Sequence, residues 1–160
     1  MSRTDVEVHV IDRLSVTRKL LIAAAATSGV QALAHATIFL SFAPQADSVQ
    51  GRVIAGMRAD HFDYGILGRR SYWDFYFGYG LIAIVLAFLI TAVIAIAVAT
   101  PDRKTQVRLS GSAMATVLVH GAIIARYFFV LPLAFDLMVA VLLGAALITL
   151  RVRGVSGMKR

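Results

Sequence analysis

From Phe75 to Ala99 the chain runs without one charged side chain. A helix of about 20 apolar residues crosses the hydrocarbon core of a bilayer, and this run is longer. A chain in lipid must satisfy its backbone N–H and C=O groups internally, so helices or closed barrels are the only spanning architectures. The run opens on a helix-start signature. Ser71 stands three residues before Asp74, so the hydroxyl can accept from the first free backbone N–H groups while the carboxylate sits at the positive end of the helix dipole. Tyr72, Trp73, Tyr76 and Tyr79 crowd the first turns, where an aromatic belt at the membrane interface belongs.

The rest of the composition agrees with a membrane chain. Hydrophobic residues make up 59% of the 160 and the mean hydropathy is +0.77, whereas soluble domains hold about 45–50% apolar residues. There is no cysteine, which excludes disulfides, thiolate metal sites and thiol nucleophiles. The formal charge of +7 reads as helix orientation and contact with anionic lipid, not as nucleic-acid binding.

The chain reads as a single all-α domain of four transmembrane helices in an antiparallel bundle. The spans are expected at about 20–43, 74–99, 109–129 and 131–150, the first stopped by Pro44. Residues 1–19 are polar, a short interfacial helix or a loose tail, and Asp5, Glu7 and Asp12 exclude a secretory signal. The 45–70 connection is long, and its spaced apolar residues suggest an amphipathic piece folded over the outer mouth as a lid. The last two spans are joined so closely that they form an antiparallel hairpin. Eleven Lys and Arg residues fall in the N-terminal tail, the second loop and the C-terminal tail, against five on the other side. Both termini are therefore expected in the cytoplasm, with the 45–70 loop outside.

Ionisable groups inside membrane helices are costly, so their positions carry the most information. Thr27, Gln31 and His35 share one face of the first span at i, i+4 spacing; Ser112, Thr116 and His120 do the same in the third, with Tyr127 further along. Pro132, Asp136, Ala140 and Gly144 form a small-residue face in the fourth, and Asp74 and Gly78 a stripe in the second. Helix direction brings His35, Asp74, His120 and Asp136 to the same outer half of the bundle. Each residue also has a plain structural reading: an interhelical hydrogen bond for either histidine, a helix cap for Asp74, belt anchoring for the aromatics, and an ion pair between Asp136 and Arg126. Asp60, His61 and Asp63 read as solvated loop residues.

Taken together, Asp136, Asp74, His35 and His120 are the candidate catalytic residues, with Asp136 as proton donor or critical hydrogen-bonding group. Trp73, Tyr76, Tyr127, Arg126 and Gln31 are the candidate substrate-binding set. Two carboxylates and two imidazoles support acid–base chemistry without a cofactor; by ligand type they could instead hold a divalent metal. Phe39, Phe42, Phe128, Phe129 and Phe135 would wall a lipophilic substrate, and aromatic faces stabilise carbocations. The sequence thus points to an isomerase- or cyclase-type enzyme on an isoprenoid or sterol-like compound. The alternatives are a non-enzymatic accessory or ligand-binding subunit of a larger membrane complex, and a proton-relay or transport role as a homo-oligomer. The partners are membrane lipid and a small lipophilic ligand. No HExxH, GxSxG, P-loop or GxGxxG motif is present.

The segments RRSYWDFYFGYGL (69–81) and ARYFFVLPLAF (125–135), with a histidine in the first span at His35, resemble an uncharacterised family of small four-helix bacterial integral membrane proteins. The resemblance implies a multi-pass architecture in the bacterial inner membrane and no activity. The layout is also similar to DoxX-like proteins and small integral-membrane isomerases and cyclases, by analogy alone.

Overall fold

In a computed structural model, which describes residues 3–157, five α-helices carry most of the chain. They are α1 (Arg3–Ser41), α2 (Val49–Ala59), α3 (Tyr72–Ala99), α4 (Arg103–Tyr127) and α5 (Val130–Gly157). Two short strands, β1 (His61–Asp63) and β2 (Arg69–Ser71), lie between α2 and α3. Four helical stretches are long and apolar enough to cross a membrane: Val16–Ser41, Tyr72–Ala99, Arg103–Tyr127 and Val130–Val152. Most of their apolar side chains face outward; Val85, Leu86 and Leu89 on α3 are all exposed. Exposed apolar surface on this scale suits lipid rather than water.

The helices outrun the spans expected from hydropathy, for local reasons. The backbone of α1 is continuous from Arg3, so the polar N-terminal stretch and the first span are one helix ending at Ser41, before Pro44. Asp102 caps α4 by accepting the Thr105 N–H at 2.8 Å, which starts that helix six residues before Leu109. The Thr105 hydroxyl and N–H hold the Asp102 carboxyl below its ordinary value, so the charged cap persists at neutral pH. Helix α5 carries its basic end with it to Gly157.

The chain divides into two compact units, residues 1–32 with 87–160, and residues 33–86. In the first, Leu21 and Ala24 of α1, Ile94 of α3, Ala113 and Val117 of α4, and Val139, Leu143 and Ala146 of α5 form one buried cluster. Five of these eight are alanine or valine, which lets helices approach closely where packing, not water exclusion, drives association. Hydroxyl pairs tie the helices further: Thr17 with Thr149 and Ser28 with Thr91, each at 2.8 Å. Arg103 Nε donates to the Leu150 carbonyl at 2.8 Å, and Gln106 Nε2 to the Ala97 carbonyl at 2.9 Å. Successive α4–α5 contacts, Arg103 with Leu150, Met114 with Gly144 and Gly121 with Asp136, run in opposite chain order. The two helices are therefore an antiparallel hairpin, linked by Phe128 and Phe129.

The second unit holds the connection that the sequence reads as an amphipathic piece. Part of it is helical, as expected, but part is a β-hairpin that the spacing of apolar residues does not signal. Here β1 and β2 pair antiparallel with His61 opposite Ser71, Phe62 opposite Arg70 and Asp63 opposite Arg69. Asp63 Oδ1 accepts the Gly65 N–H at 2.8 Å, and Gly65 and Gly68 take positive φ, which closes the turn. Phe62 then packs on Tyr64, Tyr72 and Phe75 at centroid distances of 5.1, 5.0 and 4.7 Å. Arg58 of α2 lies 4.8 Å over the Trp73 ring. The connection is thus docked on the first turns of α3.

At the start of α2, Ser48 accepts the Gly51 N–H at 3.0 Å, and the chain turns back so tightly that a Cβ at Gly51 would overlap the Gln45 carbonyl oxygen and press on that of Ala46. Gly51→Ala should therefore destabilise this unit by about 1–3 kcal/mol through overpacking. The check is amide hydrogen exchange in detergent, which should accelerate across residues 49–59 and leave 110–147 unchanged.

Candidate functional site

One carboxylate sits in the core of the first unit. Asp136, on the second turn of α5, is 4% exposed. A buried ionised carboxylate is tolerated only when paired and hydrogen-bonded, and both oxygens of Asp136 have partners. Gln31 Nε2 of α1 donates to Oδ1 at 3.0 Å, and His120 Nδ1 of α4 lies 2.9 Å from Oδ2. The same Gln31 amide nitrogen reaches the Pro132 carbonyl at 3.3 Å. Three helices thus meet on one side chain. Gln31 donates to one oxygen, and the other accepts from His120 in the tautomer that carries its proton on Nδ1.

Local sequence explains the approach. Gly121, buried beside His120, faces α5, and a Cβ there would make ordinary van der Waals contact with the Asp136 Cβ at 3.5 Å, so only a small residue fits between the helices. The two-residue link after Tyr127 fixes the register that sets His120 across from Asp136. The imidazole is only half-buried, its side chain 40% exposed against 6% for Asp136. Its Nε2 makes no hydrogen bond to any described residue. Next to the pair lies a cavity of about 20 Å³ lined by Ser28, Gln31, His120 and Asp136 with Ala87, Ile90, Val117 and Val139. One water needs about 10–15 Å³ and two or more polar partners, and four polar side chains border this space.

Of the nine expected site residues, the structure brings Gln31, His120 and Asp136 together. Arg126 is not the partner of Asp136, as the ion-pair alternative had it. Its guanidinium lies 5.2 Å over the Tyr127 ring at the end of α4, where cation–π attraction holds it. Asp74 belongs to a capping box: it accepts the Ser71 N–H at 2.8 Å and donates its own N–H to Ser71 Oγ at 3.2 Å. His35 stacks on Phe39, 6.2 Å between centroids. Trp73 and Tyr76 pack on each other at 5.5 Å, and Phe39 bridges Tyr76 and Phe77. His61 Nδ1 turns to the Ala59 carbonyl at 2.9 Å, and no group of three metal ligands occurs among the described residues. Sequence reasoning missed Ser28 and Thr91. The available signal was Ser28 standing three residues before Gln31, on the same helical face.

Gln31→Leu keeps the bulk of the side chain and removes the donor to Oδ1. It should cost about 1–3 kcal/mol, the penalty for a buried acceptor left unsatisfied. A double-mutant cycle of Asp136→Asn with His120→Gln should give a coupling energy of about 1.5–3 kcal/mol, as for hydrogen bonds to charged groups. Both are read from reversible unfolding in mixed micelles.

No family model, curated protein or solved structure matches this chain.

Proposed function

We propose that the protein is a four-helix antiparallel bundle of the bacterial inner membrane, with both termini in the cytoplasm. We propose further that it is a cofactor-free acid–base enzyme acting on a small lipophilic substrate, in which His120 is the proton-exchanging group. The observation that carries this reading is the 2.9 Å contact between His120 Nδ1 and Asp136 Oδ2. A carboxylate bonded to Nδ1–H fixes the imidazole's tautomer and ring orientation, leaving the Nε2 lone pair to take a proton and the carboxylate to stabilise the imidazolium that forms. Asp136 then acts through His120, and Gln31 holds Asp136. The aromatic residues Trp73 and Tyr76 belong to the interfacial belt of this protein.

The size of the cavity constrains where a substrate meets the pair. Ligand pockets run to about 300–1,000 Å³, far above the 20 Å³ beside Asp136. A lipophilic substrate therefore meets the exposed edge of His120 from the bilayer. Abstraction and return of a proton α to a carbonyl, or γ to it through a conjugated double bond, is the reaction class that this one base can serve, the carbonyl taking up the electron pair. The same cavity favours a second reading. A water held between Ser28, Gln31 and the pair would make a proton relay, and a His120-dependent pH change inside proteoliposomes would separate that role from catalysis.

The catalytic reading is tested by deuterium wash-in. Protein in nanodiscs is incubated in D₂O with bacterial lipid extract, and the extract is scanned by mass spectrometry. Wild type should place deuterium in a lipophilic compound; His120→Gln should abolish this, and Asp136→Asn should slow it by about 10²–10⁴-fold, the span of general acid–base catalysis. Equal incorporation by wild type and His120→Gln overturns the assignment. The topology is tested with cysteines at Gln50 and Lys104, both exposed. An impermeant maleimide should label the first from the periplasmic side and the second only after permeabilisation, and labelling of both from one side refutes it.

A further inference from the structure

At the start of α3, within the second unit, lies an open groove of about 340 Å³ lined by Arg70, Asp74, Phe75, Gly78, Tyr79 and Ile82. Its lining is ordered along the helix. Arg70 and Asp74 stand at the top, Phe75 and Tyr79 follow, and Ile82 lies at the bottom. At 1.5 Å per residue, Asp74 and Ile82 are about 12 Å apart along the axis. Gly78 makes the floor, and a Cβ there would meet nothing within 4 Å. Charge, aromatic ring and aliphatic side chain succeed one another in the order in which a phospholipid presents headgroup, glycerol and acyl chain.

The charges select among headgroups. Arg70 spends one donor on the Arg69 carbonyl at 2.9 Å, which leaves the rest of the guanidinium fork for a phosphate. Asp74 is exposed, and its Oδ2 takes the Ser71 N–H, which leaves Oδ1 to accept from an ammonium. A purely anionic head would meet Arg70 but be repelled by Asp74; a head carrying both signs satisfies the two at once. The rings of Phe75 and Tyr79 line the groove next along the helix, where the glycerol and the upper acyl chain would lie. We propose that this groove binds a zwitterionic phospholipid with a primary ammonium, phosphatidylethanolamine, with its phosphate on Arg70, its ammonium on Asp74 and an acyl chain over Gly78 against Ile82. The site is separate from the His120–Asp136 pair and needs no catalytic role for it.

The test is native mass spectrometry of detergent-purified, delipidated protein offered dioleoyl phosphatidylethanolamine, phosphatidylcholine and phosphatidylglycerol at equal concentration. Phosphatidylethanolamine should bind about tenfold more tightly than either competitor, a difference of about 1.4 kcal/mol. Gly78→Leu fills the floor while putting a better helix former on an open face, so circular dichroism should be unchanged and binding should fall about tenfold. Asp74→Asn should bring phosphatidylethanolamine down to the level of phosphatidylcholine. Competitor binding as tight as that of phosphatidylethanolamine, or Gly78→Leu without effect on it, overturns the proposal.

Discussion

A carboxylate inside an apolar helix bundle has to be answered by donors, and that constraint organises the centre of this protein. An Asp costs at most about 2.5–3.5 kcal/mol on insertion scales, the value for the centre of a membrane helix, and Asp136 lies on the second turn of its span. Asp136 is 4% exposed and meets that cost with Gln31 on one oxygen and His120 on the other. Each donor comes from a different helix, so the polar contact does more than solvate the carboxylate. It fixes the rotation of α1 and α4 about their axes relative to α5, which small apolar residues such as Ala24, Ala113 and Ala146 could not do by packing alone. A polar group whose alternative is an unpaired charge discriminates against wrong helix registers.

The second unit is held by different physics. Its contacts are aromatic rings and backbone pairs, with Tyr and Trp burying an apolar ring while a polar tip stays free. Phe62 sits at the centre of one group of rings and Phe39 of another, and Arg58 covers Trp73. Asp74, which by residue type could have served in catalysis, is occupied with Ser71 at the start of α3. One residue type thus does two jobs in one chain: capping where the backbone has free N–H groups, pairing with an imidazole where it has none.

The spans were legible because hydropathy acts over a whole helix length, and α3 and α5 leave no other reading. The small helical faces were legible too: the i, i+4 stripes pointed to Gln31, His120 and Asp136, and these three meet. Helix ends were less so, since Asp102 begins α4 by a hydrogen bond to Thr105 and not by hydropathy. The β-hairpin escaped because three-residue strands carry no usable period, and only its two positive-φ glycines mark the turn. Arg126 illustrates a further limit. Opposite charge on neighbouring helices suggested a pair with Asp136, but the guanidinium finds the adjacent Tyr127 ring at the helix end while Asp136 is already served by His120.

The short link between α4 and α5 bears on how the charge enters the membrane at all. With only Phe128 and Phe129 between the helices, neither can insert without the other close behind. His120 and Asp136 are 16 residues apart across that link, so the carboxylate finds its first donor within the hairpin, before α1 needs to arrive with Gln31. The carboxylate then enters the bilayer with one hydrogen-bond donor already in place instead of bare, and His120, whatever else it does, escorts Asp136 into the bilayer.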